Sequence, residues 1–292
     1  MPTGHDLDCS RVAVVIPALN EAENLRLLLP QLFDLGVGQI AVGDNGSADG
    51  TRAVAGELGA DCAIEPRRGY GAACQAALTL LRDDIEVVAF MDADLSDDPA
   101  ELPKLVGPIL AGRADFVLGT RLARSRAGST MTLPQRFANR LLPALMRLGW
   151  GHSYQDLGPY RAIHRRWLDA IGMRDRAYGW TIEMQIRAVE ERLRIVEVPV
   201  SHRPRRHGRS KVSGSLRGVV AAAYWIIRTC AGLWWTRKRR TVPPPSPGFQ
   251  AGSSSPRSDV QGGSSSPSPG TRTSGGGRRQ PSSNDSTSRA DC

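Results

Sequence analysis

Asp92-Ala93-Asp94 directly follows the apolar run Val87–Met91. Two carboxylates two residues apart, on a turn leaving a strand, can both reach one hard divalent cation. Mg²⁺ or Mn²⁺ held this way keeps waters and bridges a substrate diphosphate. Asp also favours ordinary turns, so the triplet gains its weight from the strand before it and the other polar strand ends around it. The run Asp44-Asn45-Gly46-Ser47-Ala48-Asp49-Gly50-Thr51 is a second polar cluster. It reads either as a turn with Asp49 capping a helix, or as a nucleoside site where Asp44 accepts hydrogen bonds from base or ribose. Pro17-Ala18-Leu19-Asn20-Glu21 reads at least as a strand stop and helix start. Arg67-Arg68-Gly69-Tyr70-Gly71 offers cations and backbone N–H groups to a phosphate, although a solvated loop is the better reading of it alone. Arg205-Arg206-His207-Gly208-Arg209-Ser210-Lys211 suits a mobile clamp over a diphosphate leaving group, through charge-assisted hydrogen bonds. A solvated charged face is its bland alternative.

These clusters need a scaffold that brings them together. Val12–Ile16, Gln39–Val42, Cys62–Ile64, Val87–Met91 and Asp115–Gly119 are short apolar runs and read as buried strands. Between them lie helical stretches. Asn20 is the expected N-cap of the first, which presents Leu25, Leu28, Leu29 and Leu32 on one face. An alanine-rich stretch at 72–82 and the segment Pro99–Ala111 supply two more, and Ile195–Val200 is a late strand. The alternation predicts an α/β fold with a mostly parallel sheet covered by helices on both faces. Ligands of such sheets sit beyond the carboxyl ends of the strands, where Pro17–Glu21, Asp44–Ser47, Asp92–Asp94 and Thr120–Arg121 should converge.

The chain has 292 residues and a formal charge of +9. Nine Arg and Lys against three Asp lie from Arg237 to the C-terminus, so most of the excess sits there and at Arg237-Lys238-Arg239-Arg240. The remainder is near charge balance, and no aromatic interleaves with the 205–211 run, so a nucleic-acid partner is not expected. Cysteines at 9, 62, 74, 230 and 292 have no metal-ligand or paired-redox spacing, which suits a reducing compartment. Residues 1–10 form an N-terminal extension without signal-peptide character, and a cytoplasmic location is expected. Residues 132–150 are amphipathic. Residues 216–235 are apolar and aromatic but carry Arg217 and Arg228, which argues for an interfacial helix within a 214–240 segment and against a full span. From Thr241 onward, 30 of 52 residues are Ser, Gly or Pro, a composition that cannot bury a core and predicts a disordered tail. No signal sets an oligomeric state.

The order and spacing of eight blocks carry a resemblance: VVIPALNEAENL (14–25), GDNGSADGT (43–51), RRGYGAA (67–73), MDADLSDDP (91–99), LGTRL (118–122), DLGPYRAI (156–163), YGWTIEM (178–184) and VEVPVSHRPRRHGRSKVS (196–213). From Arg11 to about Arg228 the chain resembles the family 2 glycosyltransferases of GT-A fold, and among them the dolichyl- or polyprenyl-phosphate hexose synthases. The resemblance implies a catalytic domain over 11–213. Pro17, Glu21 and Asp44 would hold nucleobase and ribose, and Asp92 and Asp94 would bind Mg²⁺ or Mn²⁺ and diphosphate. Arg121 would approach the transferred sugar and the acceptor phosphate, and Glu183 would lie on a helix beneath the sugar. Arg209, Ser210 and Lys211 would close over the diphosphate. The implied reaction is an inverting hexose transfer from a nucleotide sugar, GDP-mannose or UDP-glucose, to polyprenyl phosphate at a membrane surface. A phosphate acceptor needs no base; a hydroxyl acceptor would, with Glu183 or an acid of the 92–98 loop as candidates. Two departures stand out. Asn45 replaces a frequent second Asp, leaving nucleobase preference open, and Ser96 stands where mannose synthases often place Gln, weakening a GDP-mannose assignment. A non-lipid acceptor and a non-catalytic binding module are the alternatives.

Overall fold

The computed structural model describes residues 7–121, 146–207 and 216–237, with backbone alone at 216–223 and 237. The clamp residues Arg209, Ser210 and Lys211, most of the 132–150 stretch and the tail from 241 lie outside the described residues.

Seven strands form one sheet in the order β3-β2-β1-β4-β6-β5-β7. They are β1 (Val12–Ala18), β2 (Gln39–Asp44), β3 (Asp61–Ile64), β4 (Val87–Phe90), β5 (Phe116–Arg121), β6 (Arg161–His164) and β7 (Ile195–Val200). Strands β1 to β4 pair in parallel, as do β5 and β7. Strand β6 is antiparallel to both β4 and β5, so all strands but β6 run one way. The helices are α1 (Ala22–Asp34), α2 (Thr51–Glu57), α3 (Tyr70–Leu78), α4 (Leu102–Leu110), α5 (Arg165–Ile171), α6 (Trp180–Glu190) and α7 (Leu216–Arg237).

Alternation along β1 shows why both faces are covered. Val12, Val14 and Ile16 pack with Leu25, Leu28, Leu29 and Leu32 of α1 and with Leu105 and Ile109 of α4. Ala13 and Val15 face the opposite cluster, where Cys74 and Ala77 of α3 meet Phe90, Phe116 and Trp180. A strand buried on both sides must be apolar at every position rather than at alternate ones. That is why five apolar residues in a row are a sheet-centre signal here.

Strand β1 runs two residues beyond its expected stop. Its pairing with β4 covers Val12 to Val15, whereas its pairing with β2 continues through Pro17↔Gly43 to Ala18↔Asp44. Past Val15 one side of β1 has no ladder partner, so proline's missing N–H is tolerated there. The same register aligns the carboxyl ends of β1 and β2, and β4 ends beside β1 at Phe90, two residues before Asp92. Strand β6 has no strand expectation behind it. It is four residues long and begins with Arg161, which is only 1% exposed. Its guanidinium donates to the carbonyls of Thr181 and Gly158, which makes burial of the charge tolerable.

Candidate active site

Beyond β4 the chain turns at Leu95, a non-glycine residue at φ 59°. The turn is closed by the Ser96 N–H, which donates to Asp94 Oδ1 at 3.0 Å. Asp98 then caps the 3-10 turn Pro99–Glu101 that leads into α4. These local bonds place Asp92, Asp94 and Asp97 close together. Tyr70, the first residue of α3, donates its hydroxyl to Asp92 Oδ1 at 3.2 Å. Burial, with Asp94 and Asp97 nearby, pushes the Asp92 carboxyl up to about 7. Asp97 is 2% exposed and also raised, chiefly by burial; its Oδ1 lies 3.4 Å from His202 Nδ1, and its Oδ2 is buried without a hydrogen-bond partner. So much carboxylate charge crowded under little solvent fits a divalent cation. Among the described residues no group of three or more His, Cys, Asp or Glu converges on one point. A pair such as Asp92 and Asp94 would leave substrate phosphate and water to complete the shell of such an ion.

The basic segment after β7 lies along this acidic turn. Arg203 N donates to Ser96 O at 2.7 Å, Arg206 N to Asp94 O at 3.1 Å, and Asp97 and His202 form an isolated antiparallel bridge. Arg205 spans two carboxylates: its Nη1 lies 3.1 Å from Glu21 Oε1 and its Nη2 2.9 Å from Asp94 Oδ2. Ser96 thus contributes its backbone to both sides of this contact, with its side chain buried.

On the β1–β2 side, Asn20 departs from the helix-cap expectation. It takes a positive φ of 53°, its N–H donates to Ser47 Oγ and its Oδ1 accepts from Ala48 N. Glu21 is the residue at the N-cap of α1, without a side-chain cap bond. The first N–H groups of that helix are satisfied from outside: Glu21 N donates to Thr51 Oγ1 and Ala22 N to Asp49 Oδ2. Asp49 therefore caps α1 across space while also accepting from Thr51 N. Asp44, buried, accepts from Ser47 N at 3.0 Å. The Asn45 side chain is engaged within the protein. Its Nδ2 donates to Glu65 O and Arg67 O, and its Oδ1 accepts from Gly69 N. An Asp could not make the two donations, so Asn45 fixes the loop that precedes α3.

At the far side of the crevice, Arg121 ends β5 and is gripped by Asp156. Nε and Nη2 donate to Oδ2 and Oδ1, each at 2.7 Å, and Arg121 N adds a bond of 3.0 Å. Burial would raise Asp156, but this grip outweighs it and holds the carboxyl below its ordinary range. Glu183, one candidate base for a hydroxyl acceptor, is taken up in bonds to its surroundings. It is 2% exposed; Oε2 accepts from Arg174 N and Asp175 N, and Oε1 pairs with Arg187. The two Oε2 bonds hold the 174–177 loop against α6, and the Oε1 pair with Arg187 lies within α6. That loop in turn accepts from Gly71 N and Ala72 N at the start of α3, beside Tyr70. Reading by residue type missed Tyr70, Asp97, Asp156 and Arg205 as individual site residues. Each lies inside a block singled out above, and adjacency to a strand end is the signal that could have found them. A cavity of about 990 Å³ between α6 and α7, lined in part by Trp150, Arg187, Trp225 and Arg228, does not include Glu21, Asp92 or Asp94. Segment 202–207 fills the crevice at those carboxylates instead.

Residues 13–172, more than half the chain, match the model of glycosyl transferase family 2. The chain belongs to that family. This family 2 glycosyltransferase is 39% identical to an uncharacterized glycosyltransferase of Mycobacterium tuberculosis over 74% of its own length and 97% of the relative's. It is 33% identical to a polyprenol monophosphomannose synthase of Mycolicibacterium smegmatis, over 75% of its length and 88% of that protein. Its fold matches, with a TM-score of 0.63 and 25% identity, glucosyl-3-phosphoglycerate synthase of Mycobacterium tuberculosis in complex with Mn²⁺, uridine diphosphate and phosphoglyceric acid, covering 80% of this chain and 82% of the other. The sheet and its flanking helices are thus those of GT-A glycosyltransferases.

Proposed function

We propose that this enzyme moves a hexose from a nucleoside diphosphate sugar to a polyprenyl phosphate, inverting the anomeric centre, at the cytoplasmic face of a membrane. The observation that carries this reading is the Asp92–Asp94 pair at the carboxyl end of β4, with Glu21 and Asp44 at the ends of β1 and β2 and Arg205 between them. Glu21 and Asp44 hold the nucleoside. Asp92 and Asp94 hold Mg²⁺ or Mn²⁺, which supplies positive charge against the negative charge developing on the departing diphosphate. Tyr70 fixes the orientation of Asp92. Arg121, preorganised by Asp156, faces the transferred group and the acceptor phosphate. Arg209, Ser210 and Lys211, outside the described residues, are assigned the closure over the diphosphate by the family resemblance alone. The acceptor phosphate is already an anion at neutral pH, which suits a site where Glu183 has no oxygen to spare for a proton.

The lipid acceptor is supported by the polyprenol relative and by the outer face of α7, where Tyr224, Ile227, Trp234 and Trp235 are exposed. Among the described residues no helix is long and apolar enough to cross a membrane. A small phosphorylated acid as acceptor is the second reading, favoured by the phosphoglyceric-acid complex of the structural neighbour. One assay separates them. The full chain is incubated with Mn²⁺ or Mg²⁺ and either UDP-glucose or GDP-mannose, with polyprenyl phosphate, with phosphoglyceric acid, or with neither. Release of nucleoside diphosphate is expected only with the lipid phosphate, and falls roughly 10²–10³-fold in Asp94→Ala. Release driven by phosphoglyceric acid, or indifferent to the lipid, overturns the lipid acceptor.

A further inference from the structure

Asp94 has no idle oxygen. Oδ1 accepts from Ser96 N and Oδ2 lies 2.9 Å from Arg205 Nη2. The same guanidinium reaches Glu21 Oε1 at 3.1 Å with Nη1, so one side chain ties the nucleoside side of the crevice to the Asp92–Asp94 pair. Its backbone cannot drift away freely, because Arg206 N is bonded to Asp94 O and Arg203 N to Ser96 O. Arg205 is therefore a built-in counter-cation for Asp94. A divalent cation bound to Oδ2 would stand within a few ångströms of the guanidinium, and two positive charges at that separation under little solvent repel strongly.

We infer that Arg205 and the divalent metal compete for Asp94, and that the donor's diphosphate resolves the competition. In the donor-free enzyme the guanidinium keeps Asp94 Oδ2 and weakens metal binding. When the nucleotide arrives, its diphosphate oxygens offer Arg205 a new anionic partner, and Asp94 is released to the metal. Arg205 is thus a positioning residue that makes metal and nucleotide bind in synergy, and by linkage each must tighten the other by the same factor. It would also keep a bare metal from settling in the crevice ahead of the donor.

This inference rests on the reading of Asp94 as a metal ligand, and the test distinguishes the two. Mn²⁺ binding to the full chain is followed by the electron paramagnetic resonance of free Mn²⁺, first with Mn²⁺ alone and then with saturating UDP or GDP. Arg205→Gln, which keeps hydrogen bonding, and Arg205→Met, which does not, are expected to bind Mn²⁺ alone about tenfold more tightly than wild type, within the usual range of coupling between sites. In both, the further tightening caused by nucleotide should shrink. Arg205→Lys, which retains the charge, should stay near wild type. A gain in affinity cannot come from misfolding. Unchanged or weaker Mn²⁺ binding in Arg205→Gln and Arg205→Met, with wild type binding Mn²⁺ normally in the presence of nucleotide, overturns the competition alone. Absence of Mn²⁺ binding to wild type with either nucleotide overturns the metal site as well.

Discussion

Asn45 shows how a single atom type can decide what a position does. Its amide gives two hydrogen bonds to the carbonyls of Glu65 and Arg67 and takes one from Gly69 N. In Asn45→Asp both donations are lost and a buried carboxylate faces two carbonyl oxygens, at a cost of about 2–4 kcal/mol. Because the new carboxyl would have a raised pKa, the loss should be smallest at acidic pH and grow as pH rises; urea unfolding at several pH values reads this directly. The ratio of UDP to GDP binding should not change, since the side-chain amide is spent on Glu65, Arg67 and Gly69. Asp156 works with the opposite sign. Its folded pKa is held below the ordinary 3.8 by Arg121, so the stability it contributes is complete above 3.8 and is lost as pH falls from there through the lower folded pKa. At neutral pH Asp156→Asn should cost about 2–3 kcal/mol, less than the ~3–5 of a fully buried broken pair because Arg121 is partly solvated. Unfolding curves of variant and wild type should converge below the ordinary Asp value, and a gap that persists in acid would mean the carboxylate charge is not what matters.

Among the elements, the start of α3 is where packing and chemistry meet. A Cβ at Gly69 would stand 2.1 Å from Arg176 O, and one at Gly71 2.3 Å from Asp175 O. Only glycine lets the 174–177 loop lie on the helix terminus, and Glu183 holds that loop from behind through Arg174 N and Asp175 N. Gly71→Ala should cost about 1–3 kcal/mol by overpacking. It should also raise the Mn²⁺ concentration needed for turnover, because Tyr70 moves with the helix start and Asp92 with Tyr70. Glu183→Gln tests the brace against the base. A brace predicts a fall in turnover of less than tenfold with a loss of thermal stability, whereas a fall of about 10²–10⁴ at unchanged stability would restore proton transfer to Glu183. These relations were only half legible in the sequence. Strands β1, β2 and β4 announce themselves because burial on both faces demands unbroken apolar runs, and their ends carry Glu21, Asp44 and Asp92. Strand β6 is silent because it opens on a charged residue, Arg161, whose burial depends on the carbonyls of Gly158 and of Thr181, the latter on a helix further along the chain. Asn20 misled for a related reason: the α1 terminus is capped by Asp49 and Thr51 from another loop, which no local pattern records. Arg205, Asp156 and Tyr70 stand in recognisable blocks, but their partnerships exist only once the sheet edge brings those blocks together.

At the scale of the molecule, the proposed membrane contact falls on α7. Tyr224, Ile227, Trp234 and Trp235 recur at helical spacing on one face, with Tyr224 and Trp235 61% and 63% exposed. Cys230 is buried, Ile226 and Leu233 pack against the core, and Thr229 Oγ1 donates to Asp175 Oδ2 on the other face. The inner face is therefore spent on the domain, and the outer face exposes an aromatic stripe, in which Tyr224 meets Trp225 edge-on at 5.8 Å. Arg228 stacks 4.8 Å from the Trp225 ring, and the sequence continues into Arg237-Lys238-Arg239-Arg240. Tyr and Trp favour the headgroup level of a bilayer, and clustered Lys and Arg add about 1 kcal/mol each toward anionic lipid near the surface. The full chain should therefore cosediment with vesicles containing phosphatidylglycerol and less with neutral phosphatidylcholine, the difference fading as salt screens the charges. Trp234→Ala with Trp235→Ala should weaken sedimentation about tenfold or more. Turnover on a short, water-soluble prenyl phosphate should hardly change, because neither residue lies among those that line the Asp92–Asp94 crevice. Truncation after Arg240 should preserve both vesicle binding and turnover, since the Ser, Gly and Pro-rich segment beyond it contributes neither stripe nor site. Equal binding to both vesicle types at low salt would remove the basic cluster from the account, and equal binding by the double variant would remove the stripe.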